Sequence, residues 1–184
     1  MSVLGLKRGT VKLIPHQKEW ETNALNTIEL LKRILGDIAI DIQHIGSTSI
    51  STIHAKPIID IVIGVIDLNN IKSYIEILNK NNIIFRGEDV TNQLLFIMGD
   101  TSKDINTHHI HVVKWNEESW INYINFRDYL NAFKDKAFIY DNYKQKLAIE
   151  FPNNRKNYTE KKNELINRIL KEAKEWKKVE KDKK

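Results

Sequence analysis

No cysteine occurs in this chain of 184 residues, so disulfide bonds and thiolate metal sites are excluded. No apolar run approaches the roughly 18 residues that a membrane span requires. Residues 1–10 also lack the long apolar core of a signal peptide. We therefore expect a cytoplasmic protein that has no membrane as a partner.

A strong excess of charge is also missing from most of the chain. The net charge is +5, and the segment 171–184 alone carries +3 of it, with seven lysines against four acidic residues. Beyond Trp176 no aromatic residue is interleaved with these lysines, as a nucleic-acid arm would require. We expect a solvated helix end or a disordered segment there, and we do not expect nucleic acid as a partner.

The remaining composition, 41% hydrophobic and 29% charged, is ordinary for a soluble globular protein. The length fits one domain. We place that domain at residues 1–173, with a sheet part at about 9–115, a helical part at about 116–173, and a charged tail at 174–184.

Hydrophobic periodicity divides the chain into strands followed by helices. It predicts strands at 11–14, 38–45, 57–66, 83–86, 93–98 and 108–115, and a turn at 87–89. It predicts helices at 15–35, 68–81, 117–130, 135–149 and 158–178, with one or two helical turns at 47–54. The expected fold class is α+β (α/β-like), with a mixed sheet of about five strands flanked by helices.

The most informative feature is a Gly-Ser turn, Gly46-Ser47, followed by the apolar run 58–65 in which Asp60 is the only charge. A carboxylate in a buried strand is costly unless it is paired or binds something. Backbone N–H groups in such a turn can hold phosphate. A phosphate site beside a metal-binding acid is typical of nucleotidyl transfer. The alternative is that Ser47 only caps a turn and that Asp60 is a structural acid paired with Lys56 or a histidine.

The segment His44-Ile45-Gly46-Ser47-Thr48, with Ala55-Lys56-Pro57-Ile58-Ile59-Asp60, resembles the GrpB family of the nucleotidyltransferase superfamily. The resemblance extends over roughly residues 9–173. It includes residues 11–15 with Trp20, residues 107–113 with their three histidines, residues 126–130, Tyr143 with Lys144 and Leu147, and Tyr158 with Lys162. It implies a nucleotidyltransferase-type sheet followed by a helical C-terminal part.

The resemblance also implies a site. Gly46, Ser47, Thr48 and Lys56 would bind nucleotide phosphates, and Asp60 would be catalytic through a divalent metal, Mg²⁺ or Mn²⁺. The implied activity is transfer of a nucleoside monophosphate from a nucleoside triphosphate to a small-molecule or protein acceptor. Two alternatives stay open: a non-catalytic nucleotide-, phosphate- or metal-binding module that acts with a partner protein, and a phosphoester hydrolase with a histidine-bound metal.

One departure from the superfamily pattern concerns Val62, which stands where a second acid is expected two residues after Asp60. Histidines are the candidate replacements. His109 and His111 share one face of their strand by alternation, and His44 lies near Gly46. His111 best matches the third acid, as a metal ligand or as a general base. Together with Asp60, these histidines could form a transition-metal site, or each could be a packing residue.

Three further basic residues are weaker candidates. Arg86 could face phosphate or an acidic acceptor, and Lys162 could reach the mouth of the pocket. Arg127 is expected to brace the helical part against the sheet by pairing with an acid on another element. A domain that resembles this family occurs joined to a dephospho-coenzyme A kinase, which implies a link to coenzyme A biosynthesis. This sequence contains no kinase P-loop, so we expect that partner to be separate.

Overall fold

The computed structural model describes residues 4–182, apart from the side chains of Asp89 and Lys181. Its strands are β1 (Leu6–Lys7), β2 (Asp41–Ile45), β3 (Ile59–Val65), β4 (Ile84–Val90), β5 (Gln93–Asp100) and β6 (Ile105–Lys114). Its α-helices are α1 (Glu19–Leu35), α2 (Leu68–Lys72), α3 (Ile75–Lys80), α4 (Glu118–Ala132), α5 (Lys134–Glu150) and α6 (Arg155–Asp182). Short 3₁₀ turns lie at Gly36–Ile38, Ser47–Ser49 and Thr101–Lys103.

The strands form one mixed sheet in the order β2-β3-β6-β5-β4, and the short β1 pairs with β6. Strands β3 and β6 are parallel, and the other neighbours are antiparallel. In the β3–β6 register Asp60 stands opposite His109, and Val62 stands opposite His111. This six-stranded mixed sheet, flanked by helices, confirms the predicted fold class.

Strand β3 is covered on both faces, which explains its near-continuous apolar sequence. The face that carries Ile59, Ile61 and Ile63 packs in the main core, where α1 contributes Trp20 and Leu31. The opposite face packs against α4, in a cluster of Ile45, Val62, Val113 and Trp120. Helices α5 and α6 then pack against α4. Because Asp60 sits at the start of β3, its side chain lies at the edge of this second layer.

Four sequence predictions about local structure were wrong. Residues 11–14 are not a strand: only an isolated bridge joins Ile14 to Ala55. The first helix begins at Glu19, four residues after Pro15. The predicted helix 68–81 is divided into α2 and α3. Residues 87–89 are not a turn, because β4 continues to Val90 through irregular pairing with β5. Within this irregular stretch Gly87 has a φ of 98°, which favours glycine.

The charged segment near the C-terminus is helical as far as Asp182, where the described part of the chain ends. Residues 183 and 184 of the predicted tail lie outside that part. Within residues 4–182, no helix combines the length and the apolar character that crossing a membrane demands. Cytoplasmic localisation stays a prediction.

Candidate functional site

The Gly-Ser turn follows directly on β2 and lies against Asp60. Gly46 has a φ of 70°, in the region that disfavours other residues. A Cβ atom at this position would overlap the Asp60 carboxylate. The turn is closed by Ser49, whose backbone N–H and hydroxyl both donate to the Gly46 carbonyl oxygen, at 3.2 and 2.6 Å. Glycine at position 46 therefore brings the turn and the carboxylate together.

Asp60 is held by a hydrogen-bonded series that runs through β6 to α6. Arg155 Nη2 lies 3.4 Å from His109 Nε2, and His109 Nδ1 lies 3.2 Å from Asp60 Oδ1. Arginine has no acceptor, so His109 Nε2 must accept. The neutral ring then carries its proton on Nδ1 and donates it to Asp60. Burial lowers the pKa of His109, which favours this neutral form.

Two opposing influences act on the Asp60 carboxyl. Burial alone would raise its pKa, but the hydrogen bond from His109 and the nearby ring of His111 outweigh burial and hold the pKa far below its usual range. Asp60 is therefore ionised throughout the physiological range. Val62, two residues on, is fully buried beside Trp120. The position of the missing second acid thus lies under α4 in this fold, and Asp60 stands without a second carboxylate on β3.

Two adjoining cavities meet at Asp60. The narrow cavity has a volume of about 190 Å³ and the wide cavity a volume of about 640 Å³. Both are lined by Ser47, Asp60, His111, Thr159 and Lys162. The narrow cavity adds Leu13, Thr48, Ala55, Lys56, Ile58, His109, Lys144, Arg155 and Tyr158. The wide cavity adds Ile45, Gly46, Val90, Gln93, Ser119, Asn122, Tyr123, Phe126, Tyr140, Asn163, Ile166, Asn167 and Leu170.

The narrow cavity is strongly cationic. Lys56, Lys144, Arg155 and Lys162 line it, whereas Asp60 is its only lining carboxylate among residues 4–182. Burial, reinforced by the neighbouring cations, lowers the pKa of Lys56 to about 7. The pKa of Lys144 is also lowered to about 7, mainly by burial, although Asp141 opposes the change. An anion in this cavity would relieve both effects.

Lys144 on α5 joins the Gly-Ser turn to the helical part. Its Nζ atom donates to Ser47 Oγ at 3.3 Å, donates to the His54 carbonyl oxygen, and lies 3.7 Å from Asp141 Oδ1. Asp141 is fixed in turn, because it accepts from both the backbone N–H and Nδ1 of His54 at 2.8 Å. Ser47 is thus tied to a residue 97 positions away in the sequence.

The four predicted metal ligands do not form one group. His111 Nε2 faces Asp60 Oδ1 at 4.0 Å, and His109 lies on the same side. His44 instead bonds Thr48 Oγ1 through Nε2 at 2.9 Å, and burial lowers its pKa to about 4. Nowhere in residues 4–182 do three histidine or acidic side chains converge as a ready-made metal cluster. A transition-metal site with all four ligands is therefore not preformed.

Two of the predicted basic residues lie elsewhere. Arg86 is exposed on β4, at the far edge of the sheet, and lines neither cavity. Arg127 does brace α4 against β2, donating to Gln43 Oε1 and the His44 carbonyl oxygen at 2.9 and 3.0 Å. The acid that it pairs with is its neighbour Asp128, at 2.9 Å, contrary to the expected partner on another element.

The sequence reasoning missed Lys144 and Arg155 as members of the cationic cavity, as well as Gln93 and Tyr123 in the wall of the wide cavity. The family resemblance includes Lys144 but implies no role for it in the site. Nothing in the sequence around Lys144 distinguishes it from a surface lysine, and lysines are mostly exposed in proteins. Its burial follows from the packing of α5 against the Gly-Ser turn, which no local signal encodes.

The family model described as GrpB protein matches residues 10–172. The chain belongs to the GrpB family. It is 33% identical to the glutamate-rich protein GrpB of Alkalihalophilus pseudofirmus over 92% of this chain and 99% of that protein. It is 32% identical to the UPF0157 protein YqkA of Bacillus subtilis over 91% of this chain, but it spans only 48% of that longer protein.

A solved structure supports the same assignment. The conserved protein GrpB from Enterococcus faecalis matches 90% of this chain and 99% of that chain, with a TM-score of 0.82 and 27% identity. A more distant match is the Cid1 poly(U) polymerase with MgGTP bound, at a TM-score of 0.48 and 15% identity over 67% of this chain and 41% of that chain. A likeness this distant says nothing about substrate or activity.

Proposed function

We propose that this GrpB-family protein binds a nucleoside triphosphate, with the phosphates in the narrow cavity and the nucleoside in the wide cavity. The observation that carries the proposal is the charge of the narrow cavity: four basic side chains face one carboxylate. Buried cations with lowered pKa values are costly unless an anion compensates them. A triphosphate supplies several negative charges in one extended group, which matches this arrangement.

The wide cavity supports the nucleoside half of the proposal. It shares five lining residues with the narrow cavity, and its walls combine Tyr123 and Phe126 with the carboxamides of Asn122, Asn163 and Asn167. Aromatic rings offer surfaces on which a base can stack, and carboxamides can bond its polar edge. Its volume of about 640 Å³ falls within the ordinary range of small-molecule sites.

A divalent cation fits this site with Asp60 as its protein ligand. No described side chain donates a hydrogen bond to Asp60 Oδ2, and the glycine at position 46 leaves that oxygen uncovered by a side chain. Mg²⁺ or Mn²⁺ would be held there together with phosphate oxygens, and would supply positive charge against the phosphates. The remaining positive charge comes from Lys56, Arg155 and Lys162.

Binding is tested by isothermal titration with ATP, GTP, CTP, UTP and coenzyme A, each with Mg²⁺, Mn²⁺ or EDTA. We expect one or more nucleotides to bind with metal, and we expect Lys56→Met and Lys162→Met each to weaken binding about tenfold. Lys161→Met, which removes an exposed lysine adjacent to Lys162, is the matched control. No nucleotide binding by the folded wild-type protein, or equal affinity in all three variants, would overturn the proposal.

Nucleotidyl transfer is the second candidate function, and the ionised Asp60 at the junction of the two cavities favours it. Release of pyrophosphate from the bound nucleotide, in the presence of candidate hydroxyl, amine or phosphate acceptors, tests it. Release that depends on Asp60 would support transfer. Tight binding without release from any acceptor would favour the non-catalytic module, acting with a partner such as an enzyme of coenzyme A biosynthesis.

A further inference from the structure

A second hydrogen-bonded series approaches Asp60 from the wall of the wide cavity. The Tyr123 hydroxyl donates to Gln93 Oε1 at 2.8 Å, and Gln93 Nε2 lies 3.2 Å from His111 Nδ1. The Tyr123 ring also packs against the His111 ring, with centroids 5.4 Å apart. Gln93 is only 4% exposed, so its carboxamide is fixed among these partners and is not a surface group.

This arrangement determines which nitrogen of His111 carries the proton. An amide NH₂ can only donate, so His111 Nδ1 must accept from Gln93. In the neutral ring the proton then resides on Nε2, the nitrogen that faces Asp60.

The charge on Asp60 favours the same tautomer independently. If the Gln93 carboxamide were rotated by half a turn, Oε1 would accept from a protonated Nδ1, and the lone pair of Nε2 would face an ionised carboxylate. That contact is repulsive, whereas an N–H directed at the carboxylate is attractive. Both neighbours of His111 therefore select a proton on Nε2.

We propose that Gln93 is a positioning residue that holds His111 as a neutral N–H donor at the junction of the two cavities. The distance of 4.0 Å from His111 Nε2 to Asp60 Oδ1 exceeds a hydrogen bond, so this N–H is available to an oxygen of an anionic ligand. A nitrogen that carries a proton has no lone pair for a metal and cannot accept a proton from an acceptor substrate. His111 thus donates to the ligand, in place of the general-base or metal-ligand role that the sequence indicated.

The tautomer is measured directly by long-range ¹H–¹⁵N NMR on the ¹⁵N-histidine-labelled protein without ligand, with His111→Gln used to assign the ring signals. We expect a protonated Nε2 and an unprotonated Nδ1 near pH 7.5. A protonated Nδ1 in the wild-type protein would overturn the proposal. This measurement needs no nucleotide, so it stands or fails separately from the proposed function.

Two substitutions test the part played by Gln93. Gln93→Glu offers a carboxylate that can only accept, so we expect Nδ1 of His111 to become protonated. Gln93→Met removes the polar contact with similar volume, and we expect a mixture of tautomers. A wild-type tautomer in both variants would show that Gln93 does not position the ring. Should Gln93→Glu fail to fold, Gln93→Met with the wild-type spectrum still decides the question.

The role of the N–H donor rests on the proposed nucleotide binding and is read from affinity. We expect His111→Phe, which keeps a ring beside Tyr123 but has no N–H, to weaken binding of the nucleotide that the wild type prefers by about tenfold. Gln93→Met should weaken it less. Unchanged affinity in a folded His111→Phe protein would overturn the donor role, while leaving nucleotide binding itself intact.

Discussion

Binding of a polyphosphate to the narrow cavity should be coupled to uptake of protons. Lys56 and Lys144 line that cavity, and the pKa of each is lowered to about 7. Each lysine is therefore about half protonated at pH 7 in the free protein. A bound polyanion raises both pKa values, so the complex holds both lysines protonated. Each lysine should then gain about half a proton on average, so binding at pH 7 should take up about one proton in total.

The affinity should fall as the pH rises, because free lysines that have lost their protons must regain them on binding. For a pKa of about 7, the protonated fraction falls from about one half at pH 7 to roughly one tenth at pH 8. The affinity should therefore fall roughly fivefold for each lysine, and up to about 30-fold for the two together. Above pH 7 the terminal phosphate of a nucleoside triphosphate is largely ionised, so its own titration contributes little.

Isothermal titration at pH 7 in buffers of different ionisation enthalpy measures the proton uptake, and repetition at pH 8 gives the change in affinity. Lys56→Met should lose about half of the uptake, and the exposed-lysine variant Lys161→Met should keep all of it. Binding heats that are independent of the buffer, together with equal affinity at pH 7 and pH 8, would refute the reasoning, since the lysines would then not sense the ligand.

Three further predictions concern the scaffold. His108, buried and bonded to Thr27 at 3.1 Å, has its pKa lowered by burial to about 4, so the unfolded chain binds more protons below pH 6.5. Its contribution to the free energy of unfolding should fall by about 2 kcal/mol from pH 7 to pH 5, which lowers the urea midpoint. The midpoint of His108→Gln should fall less over the same pH range, and an equal fall would contradict this prediction. Val62→Asp should lower the free energy of unfolding by roughly 3 kcal/mol or more, because it places a carboxylate beside Trp120. Val62→Ala should lower it by about 1–2 kcal/mol. Similar urea midpoints for the two variants would argue that position 62 can accommodate an acid. Gly64→Ala should lower the thermal unfolding midpoint by several degrees, because a Cβ there would overlap the rings of Trp115 and Trp120. An unchanged midpoint would show that the two rings do not restrict the size of residue 64.

The general fold could be predicted from the sequence because its signals are local. The β-branched run of β3 and the helical spacing of α1 each bury one continuous apolar surface, and the structure confirms both elements. The errors fell where backbone conformation depends on partners. Gly87 reads as a turn residue in isolation, but pairing with β5 keeps it within a strand.

The candidate site shows the same distinction between local signals and contacts that depend on tertiary packing. The sequence by itself determined that Asp60 needs a partner and that Gly46-Ser47 forms a turn after a strand, because a lone charge in an apolar run and a glycine before a hydroxyl have local physical causes. Only the tertiary structure decided which groups surround them. Lys144 and Arg155 reach the cavity from helices 84 and 95 residues beyond Asp60 in the sequence, and Gln93 reaches His111 through the pairing of β5 with β6. Such contacts depend on how helices and strands pack against one another, and this packing cannot be predicted from the side-chain types and spacing within one segment.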